Sequence, residues 1–264
     1  FGEGEGADYK PWLTVRSFGS RGIARRILGR TVDRVHHVFS NLERDCFVLL
    51  DWNDAVTDIR EQYPLHPIEE TLSIADELSY GHPRAQRKRK GEWVTEPVVM
   101  TSDFRVTLCG EADPPEVVIS VKELQELNDV HTLEKLEVER CYWERRGVPW
   151  VIVTERELPR ALVDNLSFLA AHRAAEGHAV PAPRMREALA VVAAELEAAV
   201  SEPTASVCSG CDSRLGLAPG ACLALVWHAL ATKIWSTDLT FVLNPGRPLA
   251  LDFGTAPARA RRWA

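Results

Sequence analysis

Apolar and polar positions alternate in blocks along the chain. From Ser40, the apolar positions Leu42, Cys46, Leu49 and Leu50 follow a helical period. Ser40 stands as N-cap, with Glu43 three residues on as in a capping box. Residues 56–63, Val-Thr-Asp-Ile-Arg-Glu-Gln-Tyr, alternate up to Pro64 and predict a strand. Pro67 to Leu78 predicts a short helix. Val98–Leu108 and Val117–Lys122 predict two further strands, joined by a turn over Gly110–Glu116. Leu133, Leu136, Arg140 and Trp143 recur at helical spacing and stop at Gly147, and Trp150–Thr154 is a short apolar strand. This order predicts an α/β fold, a mixed sheet flanked by helices.

The texture then changes. Residues 159–200 are rich in Ala and Leu and read as helical, interrupted at Pro181 and Pro183. Ser201–Pro219 reads as a linker, Pro219–Ile234 as a helix, and Trp235–Leu243 with Pro248–Phe253 as a hairpin around Asn244–Arg247. Helices followed by a hairpin predict a small, mostly helical, winged-helix-like domain. The expected division is a domain over residues 1–164 and another over 165–264.

Composition narrows the function. The chain has 264 residues, 45% hydrophobic and 26% charged, which is globular chemistry and excludes a mostly disordered chain. No apolar run reaches the ~18–20 residues of a membrane helix. Phe1–Asp8 carries no secretory pattern, so a cytoplasmic protein is expected. The chain opens at Phe1 rather than at Met, which leaves room for a leading segment. The formal net charge is −7, and the acidic excess lies entirely in the first 164 residues. A free-standing DNA binder is normally basic, so any nucleic-acid role needs local basic patches, metal ions or a partner. Two patches stand out: Arg21, Arg25, Arg26, Arg30 and Arg34, and a loop over Gly81–Gly91 with Arg84, Arg87, Lys88, Arg89 and Lys90. Charge runs are ordinarily solvated surface, but these clusters also suit phosphate contact.

The chemistry centres on Asp103 and Lys122. Asp103 lies within one predicted strand, and Ser120 and Lys122 lie two apart on the next, sharing a face. A carboxylate beside a lysine on its hairpin partner suits a metal-dependent nuclease. Asp103 offers a hard oxygen to Mg²⁺ and the Val121 carbonyl a backbone oxygen, while Lys122 is placed to orient or help deprotonate a metal-bound water or to offset charge on the attacked phosphate. Glu43 completes the acidic cluster, although a cap role alone also accounts for it. Spacing alone is a weak signal, because many sheets carry Asp and Lys on neighbouring strands.

Several motifs in order sharpen it: Lys10-Pro-Trp-Leu-Thr14, Arg34-Val-His-His37, Asp58-Ile-Arg-Glu-Gln-Tyr-Pro64, Val99-Met-Thr-Ser-Asp-Phe104, Thr132 to Trp143, and Pro149 to Glu157. These resemble TnsA, the endonuclease subunits of heteromeric cut-and-paste transposases, from about Tyr9 to Asn165. The resemblance implies a restriction-endonuclease-like fold and cleavage of the 5′ strands at transposon ends in a prokaryotic cytoplasm. It implies Mg²⁺ or Mn²⁺, two ions per site, a TnsB-like transposase as partner and a TnsC-like ATPase regulator. It assigns the active-site positions to Glu43, Asp103 and Lys122. One departure is Ser120, where the family pattern has Gln; a hydroxyl is a weaker metal ligand, so Ser120 is expected to ligate the metal itself or through a water, or Glu61 or Glu116 to substitute for it, Glu61 otherwise standing behind the ligands.

Other features read more plainly. Arg60 and Glu61 read as a sheet-edge pair. His36 and His37 point to opposite faces of an extended chain, which is poor for joint chelation. Cys208, Cys211, Cys222 and His228 suit either zinc or buried thiols. Most charges of the Leu133–Arg146 helix read as a solvated face, with Glu137 and Arg140 as the alternatives for a site, and Trp12 and Trp93 are the tryptophans to test against DNA. A non-catalytic module bridging TnsB, TnsC and end DNA is the competing function. A stand-alone restriction-type nuclease is a third.

Overall fold

A computed structural model describes residues 1–16, 24–89, 91–110, 115–174 and 180–254. The chain divides into two compact units, Phe1–Leu158 and Pro159–Ala264. The expected boundary at 164/165 falls inside the helix Arg160–Ala170, which groups with the second unit.

The first unit is α/β, a mixed sheet flanked by helices. Strands β1 (Arg25–Leu28) and β2 (Val35–Val38) form a hairpin ahead of helix α1 (Asn41–Trp52). Strand β3 (Val56–Pro64) and helix α2 (Ile68–Glu77) follow. Next come β4 (Arg84–Arg89), β5 (Glu92–Pro97), β6 (Thr101–Leu108), β7 (Glu116–Val121), helix α3 (Val130–Glu144) and β8 (Trp150–Val153). The main sheet runs β3-β6-β7-β8, antiparallel except for the parallel pair β7/β8. Val38, Phe47, Ile59, Phe104, Val106 and Val121 fill the core on the α1 face, and Leu65, Ile74, Val118, Tyr142 and Trp143 fill it on the α2/α3 face.

The ladder between β3 and β6 has one gap that shapes the site. Glu61 pairs with Phe104 and Tyr63 with Ser102, but Gln62 and Asp103 between them do not pair. Gln62 has φ 49°, a left-handed conformation uncommon for a residue with a side chain, and its carbonyl accepts the Trp12 N–H at 3.2 Å. The strand changes face there. Ile59 packs on the α1 side, whereas Tyr63 packs on the α3 side, although regular alternation would keep them together.

Gly81–Gly91 is not a loop as expected. Arg84, Arg87, Lys88 and Arg89 lie in β4, which pairs with β5 in a separate two-stranded ribbon. Both faces of this ribbon are largely exposed, so it lacks the apolar alternation by which a strand is recognised.

The second unit is mostly helical: α4 (Arg160–Ala170), α5 (Ala182–Ala198), α6 (Thr204–Leu215) and α7 (Ala221–Ala231). Pro181 and Pro183 do not interrupt a helix; Pro181 caps α5 and Pro183 sits in its first turn, where its missing N–H costs nothing. The expected linker is largely α6. The expected hairpin reduces to an isolated bridge, Ser236 with Asp252, bonded N–H to O at 2.8 Å both ways. Pro245 and Pro248 bring no N–H to a ladder. The carbonyls of Pro245 and Arg247 accept from Ala205 and Thr204 at the start of α6, and the Asn165 amide donates to the carbonyls of Leu239 and Phe241. Cys208, Cys211 and Cys222 are buried in this helical packing, and the His228 Nδ1 lies 2.9 Å from the His172 carbonyl. Among the described residues no helix is long and apolar enough to cross a membrane.

Candidate active site

Glu43 enters from the first turn of α1. Ser40 Oγ accepts the Glu43 N–H at 3.0 Å, and Glu43 Oε2 accepts the Phe39 N–H at 2.9 Å. The carboxylate therefore completes the helix cap and is also buried against the sheet. Gln62 Nε2 reaches the same oxygen at 3.5 Å. Burial, then the charge of Asp103, pushes the Glu43 carboxyl up to about 7.

Asp103 stands at the ladder gap in β6. Its Oδ2 accepts the Val121 N–H at 2.7 Å and Lys122 Nζ at 3.2 Å. Lys122 Nζ also donates to the Val121 carbonyl at 2.8 Å. Burial alone would lower the Lys122 ammonium, but the Asp103 charge and hydrogen bond outweigh it and hold it above its ordinary value. Lys122 is thus a held cation. The structure brings together Glu43, Asp103, Lys122 and the Val121 carbonyl.

Ser120 turns elsewhere. Its hydroxyl donates to Glu139 Oε1 at 2.6 Å and accepts the Trp150 indole N–H at 3.1 Å. Ser102 donates to the same Glu139 oxygen at 2.6 Å and accepts from Trp143 at 2.8 Å. Glu139 was expected on a solvated face; it is instead buried under β6 and β7, and burial pushes its carboxyl up to about 7 despite the two hydroxyl donors. The charge of Asp103 adds to that rise, and Glu139 in turn supports the Lys122 ammonium. The signal was present: Glu139 falls three residues from both Leu136 and Tyr142 and four from Trp143, all buried. Glu137 and Arg140, the two favoured on that helix, pair with each other at 2.8 Å on its partly exposed side.

Glu61 occupies a different cluster. Its Oε1 accepts from Arg34 Nη1 at 2.9 Å and the His37 N–H at 3.0 Å, and its Oε2 from Arg34 Nη2 at 2.5 Å with His36 Nδ1 at 2.9 Å. Burial would raise this carboxyl, yet the hydrogen bonds and charges of His36 and Arg34 hold it down at about 2. Every oxygen direction is used, so Glu61 ties β2 to β3 and has nothing left for a metal. Glu116 is likewise taken, by Arg60 and Arg105 at 2.6 Å each. The expected Arg60–Glu61 pair does not form, since Arg60 lies with Glu116 and Asp58.

The two basic patches separate on inspection. Arg34 is buried on Glu61, and Arg30 pairs with Asp54 at 3.2 Å. Arg25 and Arg26 are exposed on β1, while Arg21 lies outside the described residues. Arg84, Arg87, Lys88 and Arg89 are exposed on β4, and Lys90 is also outside them. Trp12 packs edge-on against His66, whereas Trp93 is 69% exposed.

Among the described residues no three His, Cys, Asp or Glu side chains converge on one point. The donors present nevertheless fit a hard cation: two carboxylates and a backbone carbonyl, all oxygen. Glu43 and Asp103 set like charge against a single ammonium, and burial first and the Asp103 charge second raise the Glu43 carboxyl.

Residues 53–155 match the family model described as TnsA-like endonuclease N terminal, and residues 157–239 match TnsA endonuclease C terminal. The chain belongs to the TnsA-like family. It is 39% identical over 168 residues to the transposon Tn7 transposition protein TnsA of Escherichia coli, covering 64% of this chain and 58% of that protein. Asp103, Lys122 and Glu139 lie inside the first matched segment, and Glu43 just ahead of it.

Proposed function

We propose that this chain is the metal-dependent DNA endonuclease subunit of a cut-and-paste transposase, cleaving the 5′ strands at transposon ends. The observation that carries it is the buried Glu43 and the half-buried Asp103 set against Lys122, at a break in the sheet ladder within a TnsA-like chain. Glu43, Asp103 and the Val121 carbonyl would hold Mg²⁺ or Mn²⁺, with two ions per site proposed. The cation, when bound, supplies Lewis-acid polarisation of the scissile phosphate. Asp103 holds Lys122 as an ammonium, which suits it to meet charge developing on the phosphate oxygens. The Val121 N–H fixes Asp103, and Gln62 and the α1 cap fix Glu43, so both carboxylates are oriented before DNA arrives. Glu139 holds Ser102 and Ser120 beneath them.

The proposed partners are transposon-end DNA, a TnsB-like transposase for the 3′ strands and a TnsC-like ATPase regulator. An overall charge of −7 suits a subunit brought to its site by partners. The test is strand-specific cleavage of labelled transposon-end DNA with both partners and Mg²⁺. The expected result is 5′-strand cuts that vanish in Asp103→Ala while 3′-strand cuts persist. Identical 5′-strand results in parent and variant would remove Asp103 from the reaction.

One observation favours a second reading, a weakened module that bridges its partners and DNA. Ser120 is committed to Glu139 and Trp150 rather than to the Asp103 carboxylate. Ser120→Gln separates the two. A rise in cleavage from a detectable baseline supports a working site, and no cleavage with either residue favours the bridge.

A further inference from the structure

The β4–β5 ribbon sorts its residues by face. Paired residues across an antiparallel ladder share a side, and successive pairs alternate. The pairs Arg84–Pro97, Gln86–Thr95 and Lys88–Trp93 therefore lie on one face, and Ala85–Glu96, Arg87–Val94 and Arg89–Glu92 on the other. The second face holds both carboxylates of the ribbon, matched by Arg87 and Arg89, and Arg89 pairs with Glu96 at 3.1 Å. The first face carries Arg84 and Lys88 and no acid at all. Among the described residues neither of these cations has a carboxylate partner. It also carries Gln86 opposite Thr95 at mid-ribbon, and Trp93, 69% exposed, opposite Lys88 near the tip. Ala85, Glu96 and Pro97 are half-buried at the base, and the other positions of both faces are exposed, so the first face is open to solvent along most of its length.

We infer that this acid-free face docks in the major groove of duplex DNA beside the cut site, an inference that builds on the endonuclease reading. A two-stranded ribbon fits that groove, ~12 Å wide. Arg84 and Lys88, spaced along one strand, meet backbone phosphates and set the register. The Gln86 amide and the Thr95 hydroxyl sit between them, each able to donate to and accept from base edges. Trp93 brings apolar surface to the groove at the tip. In a chain with net charge −7, any duplex affinity of the chain's own calls for such a local surface, and sorting the acids to the opposite face is what makes this one cationic. The face, not the count of basic residues, selects the contacts: Arg87 and Arg89 lie near the DNA without touching it.

The test compares two double variants of equal charge change, Arg84→Glu with Lys88→Glu and Arg87→Glu with Arg89→Glu. Anisotropy of a labelled 30-base-pair duplex across a salt series, in EDTA so that nothing is cut, gives the affinity. The first pair is expected to weaken binding more than about tenfold and to reduce the salt slope by about two, the second by under about threefold. Trp93→Ala is expected to weaken it about fivefold with an unchanged slope. Equal losses from both pairs, no loss from either, tighter binding to single-stranded DNA, or no duplex binding by the parent chain would each overturn the docking. The endonuclease reading is scored apart, by Asp103-dependent cleavage. If that cleavage persists while the first pair binds normally, the ribbon proposal alone falls; if the ribbon behaves as stated but nothing is cut, the nuclease reading alone falls.

Discussion

Two buried carboxylates, Glu43 and Glu61, lie in the same unit and have opposite fates. Glu61 is surrounded by donors matched to its oxygens, Arg34, His36 and the His37 N–H, and is held at about 2. Glu43 shares its pocket with Asp103 and only one cation, and is pushed to about 7. The first cluster is electrostatically closed and the second is open. A fold that can satisfy one buried acid so fully leaves another unmatched where something else is to supply the charge. That contrast, more than the presence of acids, separates the closed cluster from the one proposed to carry the chemistry.

The sharpest break in the comparison is Asp103→Ala, expected to lower cleavage on the order of a thousandfold. Its urea midpoint should change little, because the relief of like charge beside Glu43 offsets the lost bonds to the Val121 N–H and Lys122. Glu61→Ala should do the reverse. It leaves Arg34 buried without its partner, at a cost of about 3–5 kcal/mol read from urea unfolding. The pH dependence of that midpoint should separate the two acids by sign. Glu61 contributes stability present above its unfolded value near 4.5 and lost as the pH falls toward about 2, so Glu61→Gln should flatten the acid limb. Glu43 sits above its unfolded value, so its contribution is complete below pH 4.5 and lost as the pH rises through about 7. Glu43→Gln should flatten the decline over that window. Glu139 has the same sign as Glu43, so part of the slope should remain until Glu139→Gln is added. The smallest effect belongs to Glu139→Gln alone. The Ser102 and Ser120 hydroxyls keep an acceptor, so stability should change by under about 1 kcal/mol while cleavage falls about tenfold.

Much of the first unit is legible in the sequence because its elements are half-buried. Leu42, Cys46 and Leu50 keep helical period, and Val106 and Val118 keep strand period, since each must reach a core. The ribbon escapes this reading because no core depends on it. Helix α6 escapes it because Gly210 and its run of Ser and Cys look like loop composition, while its burial comes from tertiary packing of Cys208 and Cys211. The wing is over-read because alternation in 235–253 is real but prolines deny it a ladder. In the site, Asp103, Lys122 and Glu43 are legible from residue type and order. Arg34 and Glu139 are not, because each is one charge among many and only its neighbours in space reveal that it is buried.

The most direct measurement is calorimetric titration of the chain with Mg²⁺ and no DNA, comparing parent with Asp103→Ala. The open-cluster account predicts a binding isotherm in the parent that weakens at least about tenfold in the variant, since one of two carboxylate ligands is gone. Equal isotherms in the two proteins, or none in the parent, would contradict it.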